Sequence, residues 1–216
     1  MLVTSDIVKY LLSIVNHEAW IEVDGRAYLK WGHYPEVDGK LDPMCIVRAF
    51  AVSGGAVLPV AVGTDKESSS RGALFLEFEE AEALAVEYDR GIYTLTEDGK
   101  WIFGRHVPQK YRVKEKRQIL GSAKTYLGDR IEPLGLELEL MPDKIGDEVR
   151  IQILFGGKPI AGKIKLRNSK GVFEFDAGEE GAVLKLAEGI NVISARYVDE
   201  GVDFMRSLVT TLTISR

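Results

Sequence analysis

A single cysteine, Cys45, in 216 residues excludes an internal disulfide and any multi-thiolate zinc or iron-sulfur site. Histidine is nearly as scarce, and His17, His33 and His106 are the strong metal-ligand candidates that remain. No run approaches the ~20 apolar residues needed to cross a bilayer, so the sequence carries no transmembrane segment. A basic excess is missing too. Against 33 acidic residues stand 28 Lys and Arg, a net charge of −5, which argues against nucleic acid as a partner held by an overall positive field. The sequence also lacks the Gly-rich phosphate loop, the dinucleotide fingerprint and the G-x-S-x-G elbow, so nucleotide chemistry and nucleophilic hydrolysis have no support. The chain reads as a binding protein and not as an enzyme.

What is present is ordinary globular composition, 45% apolar and 28% charged, in a length that accommodates one large or two small domains. In the first sixteen residues a short apolar run at 10–15 follows Lys9 and imitates a secretory signal, without an Ala-x-Ala-like site. Ile7, Val8, Leu11, Leu12 and Val15 recur at three-to-four spacing behind Ser5 or Asp6, which predicts a short amphipathic N-terminal helix.

From Ala19 onward the apolar pattern is mostly period two, punctuated by Gly, Pro and Asp, and predicts an all-β protein. Strands are expected near residues 19–23, 27–32, 45–52, 58–62, 73–78, 84–88, 92–96, 100–104 and 122–127, with turns at Asp24-Gly25 and Asp98-Gly99. Residues 64–71 read as a polar loop, and residues 79–84 fit either a loop or a helical turn. A Gly- and Pro-containing connector at 128–135 suggests a division into two β-sandwich-like modules, 1–130 and 135–216. The second shows about seven short strands in about 80 residues, the pattern of an immunoglobulin-like sandwich.

The first hairpin can be read geometrically. Ala19, Ile21, Val23, Ala27, Leu29 and Trp31 are the inward candidates, and all are odd-numbered. For odd residues of both strands to share a face, paired numbers must sum to an even value, which excludes a two-residue turn and calls for a three-residue loop with Gly25 left-handed. His17 and His33 are odd as well, so this register brings both imidazoles to one face at the open end of the hairpin. Converging imidazoles suit nickel, cobalt, copper or zinc. Glu18, Glu36 and Asp38 are carboxylates within reach in sequence, His106 a distant third imidazole, and Tyr34 a group that could orient a ligand. The same residues also fit a hydrogen-bonded pair at a sandwich end, with Trp20, Tyr28, Trp31 and Tyr34 as core rings. The basic stretch 110–118 reads as a solvated face, and Cys45 as a buried thiol.

His17-Glu18-Ala19-Trp20 and Trp31-Gly32-His33-Tyr34-Pro35 resemble the His-acidic-x-Trp opening and the Gly-His-x-(Pro) segment of a family of β-rich proteins associated with cobalt and nickel uptake, described as periplasmic components of nickel transporters. Residues 93–101, 123–126 and 156–162 are similar to further segments of that family. The resemblance implies a nickel- or cobalt-binding protein supporting transport, with His17, His33 and Glu18 as metal ligands and a membrane permease as partner. In that family the first histidine follows a cleaved export signal, whereas here it follows the expected helix, so side chains would have to supply the whole site. The alternative is a non-catalytic surface or interaction β-sandwich protein without a metal.

Overall fold

The computed structural model describes residues 17–104, 107–144, 146–201 and 204–216, so the expected N-terminal helix and His106 lie outside the described residues. Among the described residues strands hold 64% and helices 4%, which makes the fold all-β. In chain order the strands are β1 (Glu18–Asp24), β2 (Arg26–His33), β3 (Glu36–Gly39), β4 (Ile46–Ser53), β5 (Ala56–Pro59), β6 (Ala61–Gly63), β7 (Leu74–Glu77), β8 (Ala83–Thr96), β9 (Trp101–Phe103) and β10 (Val113–Tyr126). After the connector come β11 (Leu138–Pro142), β12 (Glu148–Phe155), β13 (Lys158–Ile160), β14 (Gly162–Asn168), β15 (Gly171–Ala177), β16 (Ala182–Lys185), β17 (Ile190–Glu200) and β18 (Met205–Ser215).

A nine-stranded sheet, ordered β15-β14-β17-β18-β10-β8-β4-β5 with β9 on β8, forms the middle of the molecule. The two halves of the sequence meet within it. β10 and β18 pair in parallel from Arg117↔Met205 to Thr125↔Thr213, so the sheet runs unbroken across residues contributed from both sides of the connector at 128–135. Residues of β18 alternate between two cores: Val209 packs with β1, β2, β7 and β8, while Leu208, Leu212 and Ile214 pack with β11, β12 and β16. A five-stranded sheet, β1-β2-β7-β6 with β3 on β2, therefore covers one face, and a four-stranded sheet, β11-β12-β13 with β16 on β12, covers the other. Burial on both faces explains why residues 207–214 of β18 read Ser-Leu-Val-Thr-Thr-Leu-Thr-Ile with no charge, the strand's charged residue, Arg206, lying near its start.

Polar groups stitch these layers together. Thr211 donates to the Ala19 carbonyl at 2.6 Å, and the Ala19 N–H donates to the Tyr88 hydroxyl, so side chains of the central sheet satisfy the main chain of edge strand β1. On the other face, fully buried Lys124 donates to Glu139 at 2.6 Å and to Tyr126 at 3.0 Å. Burial pushes the Lys124 ammonium down to about 8, with Glu139 pulling the other way.

Several local expectations need revision. The segment expected as two strands around residues 89–91 is one strand, β8, carrying a bulge. Asp89 and Ile92 face Leu120 and Gln118, so β8 has one more residue than β10 here. Gly91 supplies the positive φ of +79°, and its N–H donates to the Asp89 carboxylate at 2.7 Å. The strand expected at 58–62 breaks at Pro59: β5 pairs with β4 and β6 with β7, in different sheets. Residues 64–71 contain a short helix, α1 (Lys66–Ser70), because Asp65 and Ser68 form a reciprocal capping box. Residues 79–82 are bends and coil without helix.

Candidate metal centre

The histidine hairpin has the expected register. Pairs run from Glu18↔Gly32 to Asp24↔Arg26, each summing to fifty, around Gly25 at φ +67°. Val23, Ala27, Ile21, Leu29, Ala19 and Trp31 thus share parity, and most of them enter the core between the five- and nine-stranded sheets. His17 and His33 close this series at the rim of that core, with ring centroids 4.8 Å apart and planes at 85°.

A third donor joins them from β3. The β2–β3 pairing passes from Trp31↔Gly39 to Gly32↔Val37, which leaves Asp38 as the extra residue of a bulge. Such a residue escapes the strand's alternation and can be re-aimed. Here the Asp38 Oδ2 lies 3.3 Å from His17 Nε2 and 3.4 Å from His33 Nδ1. Gly32 makes the approach feasible. It sits at φ +145°, and a Cβ there would lie 2.6 Å from the Glu36 carbonyl and 2.7 Å from the Asp38 nitrogen. Only glycine lets β3 fold back this closely.

His17 is buried, at 4% exposure, whereas the His33 and Asp38 side chains are 33% and 41% exposed. Burial holds the His17 imidazole down at about 4. The His33 imidazole and the charges of Arg90 and Arg196 act in the same direction, while Asp38 opposes them. At neutral pH His17 is therefore uncharged and offers a lone pair, the state in which imidazole ligates metals. Its Nδ1 is buried without a hydrogen-bond partner. Trp31 packs edge-on against the His17 ring at 5.7 Å and against Tyr88 at 5.6 Å. Arg90, carried by the β8 bulge, lies over Trp31 at 4.7 Å and donates to the Tyr93 hydroxyl at 3.1 Å.

One ligand atom from each of His17, His33 and Asp38 falls within 4.8 Å of the others. Donors held ~2.1 Å from an ion in a tetrahedron are about 3.4 Å apart, which the two nitrogen-to-carboxylate separations match. The two nitrogens can share the ion only within about 4.2 Å, twice that bond length. From the 4.8 Å bound, that asks for a closure of up to about 0.6 Å for nitrogens on opposite sides of the ion and up to about 1.4 Å for a tetrahedral pair. The half-exposed His33 ring has the freedom to supply it. Two imidazoles with one carboxylate fit a borderline divalent ion such as nickel, cobalt or zinc.

Glu18 is not brought to this cluster. Neighbouring residues of a strand point to opposite faces, so the parity that gathers the histidines turns Glu18 away. It is buried in an ion pair with Arg167 of β14, tying the five-stranded sheet to the central one. Glu36 is exposed, and Tyr34 packs on Trp20 at 5.9 Å. The Cys45 thiol, half-buried, is pushed up by burial and by Asp42. Arg90 escaped the sequence reading because Asp89-Arg90-Gly91 looks like a turn between strands; the glycine was the signal of a bulge.

Comparison with protein-family models, with curated proteins and with solved structures finds no match to this chain.

Proposed function

We propose that this protein binds a divalent transition-metal ion, nickel or cobalt, through His17, His33 and Asp38, and does so in support of transport. The observation that carries the reading is the convergence of two imidazoles and one carboxylate, drawn from the start of β1, the end of β2 and the β3 bulge, to within 4.8 Å. The choice of nickel or cobalt rests on imidazole's preference for later first-row ions and on the resemblance of both histidine segments to the metal-uptake family. A membrane permease is the partner this role calls for, and a substrate ion in transit suits a rim position better than a sealed core. In this reading the sandwich of residues 138–215, immunoglobulin-like in its strand rhythm, is a rigid support.

Calorimetric titration of chelator-stripped protein with nickel and with cobalt tests the proposal. Binding of one equivalent is expected, weakened more than ~100-fold in His17→Ala/His33→Ala, because even outer-shell partners of metal ligands are worth ~10–100-fold. An unchanged affinity in the double variant overturns it. A second reading, an interaction platform without metal, is favoured by exposed Val57 and Leu58 on β5 and Val172 and Phe173 on β15, the two terminal strands of the nine-stranded sheet. It expects partner binding indifferent to chelators and to the double variant.

A further inference from the structure

Independently of the metal site, we infer that two copies of this chain pair along β15 and so join their nine-stranded sheets across a two-fold axis. β15 ends that sheet, and among the described residues its only strand partner is β14. The outer edge of such a strand is a row of main-chain donors and acceptors open to another strand, and folds blunt it with proline, bulges, inward charges or brevity. The opposite end of the sheet is blunted, since β5 has four residues and closes on Pro59. β15 has seven, Gly171–Ala177, with no proline and an unbroken register from Gly162↔Ala177 to Asn168↔Gly171. It aims no charge inward either. Phe173 and Phe175 line a groove of about 320 Å³ with Val183 of β16, and alternation puts Val172, Glu174 and Asp176 on the other face. Val172 and Phe173 are both exposed, which leaves apolar surface on each face for a second strand to cover.

Parity and charge fit a second β15 to this edge in one register. Opposed residues of an antiparallel pair point to the same face, so the two phenylalanine rows share a side only if some residue of β15 faces its own copy. Centred on Phe173, that residue meets itself, Val172 meets Glu174, Gly171 meets Phe175, and Lys170, in the turn before the strand, meets Asp176 of the second copy. Two-fold symmetry makes every unlike pair twice. The Lys170–Asp176 pair is attractive. Although Asp176 already lies 3.3 Å from Lys163 of its own chain, its side chain is 87% exposed and has room for another ammonium. Centring on Glu174 would set that carboxylate against itself, and centring on Phe175 would set Glu174 against Asp176; like charges directly opposite are destabilising. Centring on Val172 would leave only residues 171–173 of the strand paired.

Sedimentation equilibrium of the full chain over a range of concentrations tests the pairing, and a reversible monomer–dimer equilibrium is expected. Phe173→Glu, which opposes two carboxylates at the axis, should abolish the dimer. Lys170→Glu should weaken it about tenfold, because two attractive pairs become two repulsive ones. Both positions are exposed, so circular dichroism should find each variant folded like the parent. The register has its own test. In a Cys45→Ser background, Phe173→Cys should form an intermolecular disulfide on mild oxidation, since directly opposed Cβ atoms are ~4.5–5.5 Å apart, whereas Glu174→Cys should not. A chain that stays monomeric up to ~1 mM, where even a millimolar affinity would register, overturns the inference. So does a dimer indifferent to either charge substitution, or cross-linking through residue 174 in place of 173. The β15 edge and the histidine cluster share no residue, so none of these outcomes bears on the metal reading.

Discussion

Replacing His17 by leucine should make the metal-free protein less sensitive to acid. In the unfolded chain the imidazole titrates near 6.5, whereas in the fold burial, seconded by His33, holds it at about 4. Between these values the unfolded state binds a proton that the folded state refuses, so stability falls as pH drops through the window and is fully retained above it. The displacement from 6.5 to about 4, at ~1.4 kcal/mol per pH unit, amounts to roughly 3 kcal/mol. That is a large share of the ~5–15 kcal/mol by which a domain is stable. With an m-value of ~2–3 kcal/mol/M, the urea midpoint of the parent protein should drop by about 1 to 1.5 M more than that of His17→Leu between pH 7 and pH 4. Chelator-treated samples of both proteins, unfolded in urea at half-unit pH steps and followed by tryptophan fluorescence, provide the comparison. Parallel pH profiles would refute the argument, because they would mean that His17 is charged or solvated in the native state.

Three further outcomes follow from other residues. Gly32→Ala puts a Cβ against the β3 main chain; it should lose roughly 1–3 kcal/mol in denaturant unfolding and weaken nickel binding about tenfold in calorimetry as Asp38 is displaced. Glu18→Gln leaves Arg167 without its buried carboxylate partner and should lose about 3–5 kcal/mol in the same unfolding assay, while nickel affinity stays within about threefold because Glu18 is no ligand. Lys124→Met strands Glu139 in the core at a similar loss, and Lys124→Met/Glu139→Leu should recover most of it, as a double-mutant cycle by thermal unfolding will register.

The elements legible in the sequence are those fixed by local periodicity. Odd parity across Gly25 sufficed to place His17 beside His33, since alternation along a strand and an even-sum register admit one arrangement. The same parity turns Glu18 away, although its nearness in sequence and the resemblance had both nominated it. Asp38 could be named among the nearby carboxylates but not chosen, because a bulge suspends alternation and nothing local distinguishes Asp38 from Glu36 before Gly32 is seen to press on β3. The parallel pairing of β10 with β18 joins segments some ninety residues apart. The uncharged, Thr-rich and apolar run at 207–214 of β18 announces burial on both faces but not the identity of the neighbour. Long-range pairs such as Glu18–Arg167 are likewise products of the assembled layers.

The central claim is that His17, His33 and Asp38 surround one ion. X-ray absorption at the nickel edge of protein loaded with one equivalent reads this directly. The account predicts oxygen and nitrogen donors near 2.1 Å with the multiple-scattering signature of two imidazoles, reduced to one in His33→Ala. A spectrum of oxygen donors alone, or one unaltered by that substitution, would contradict it.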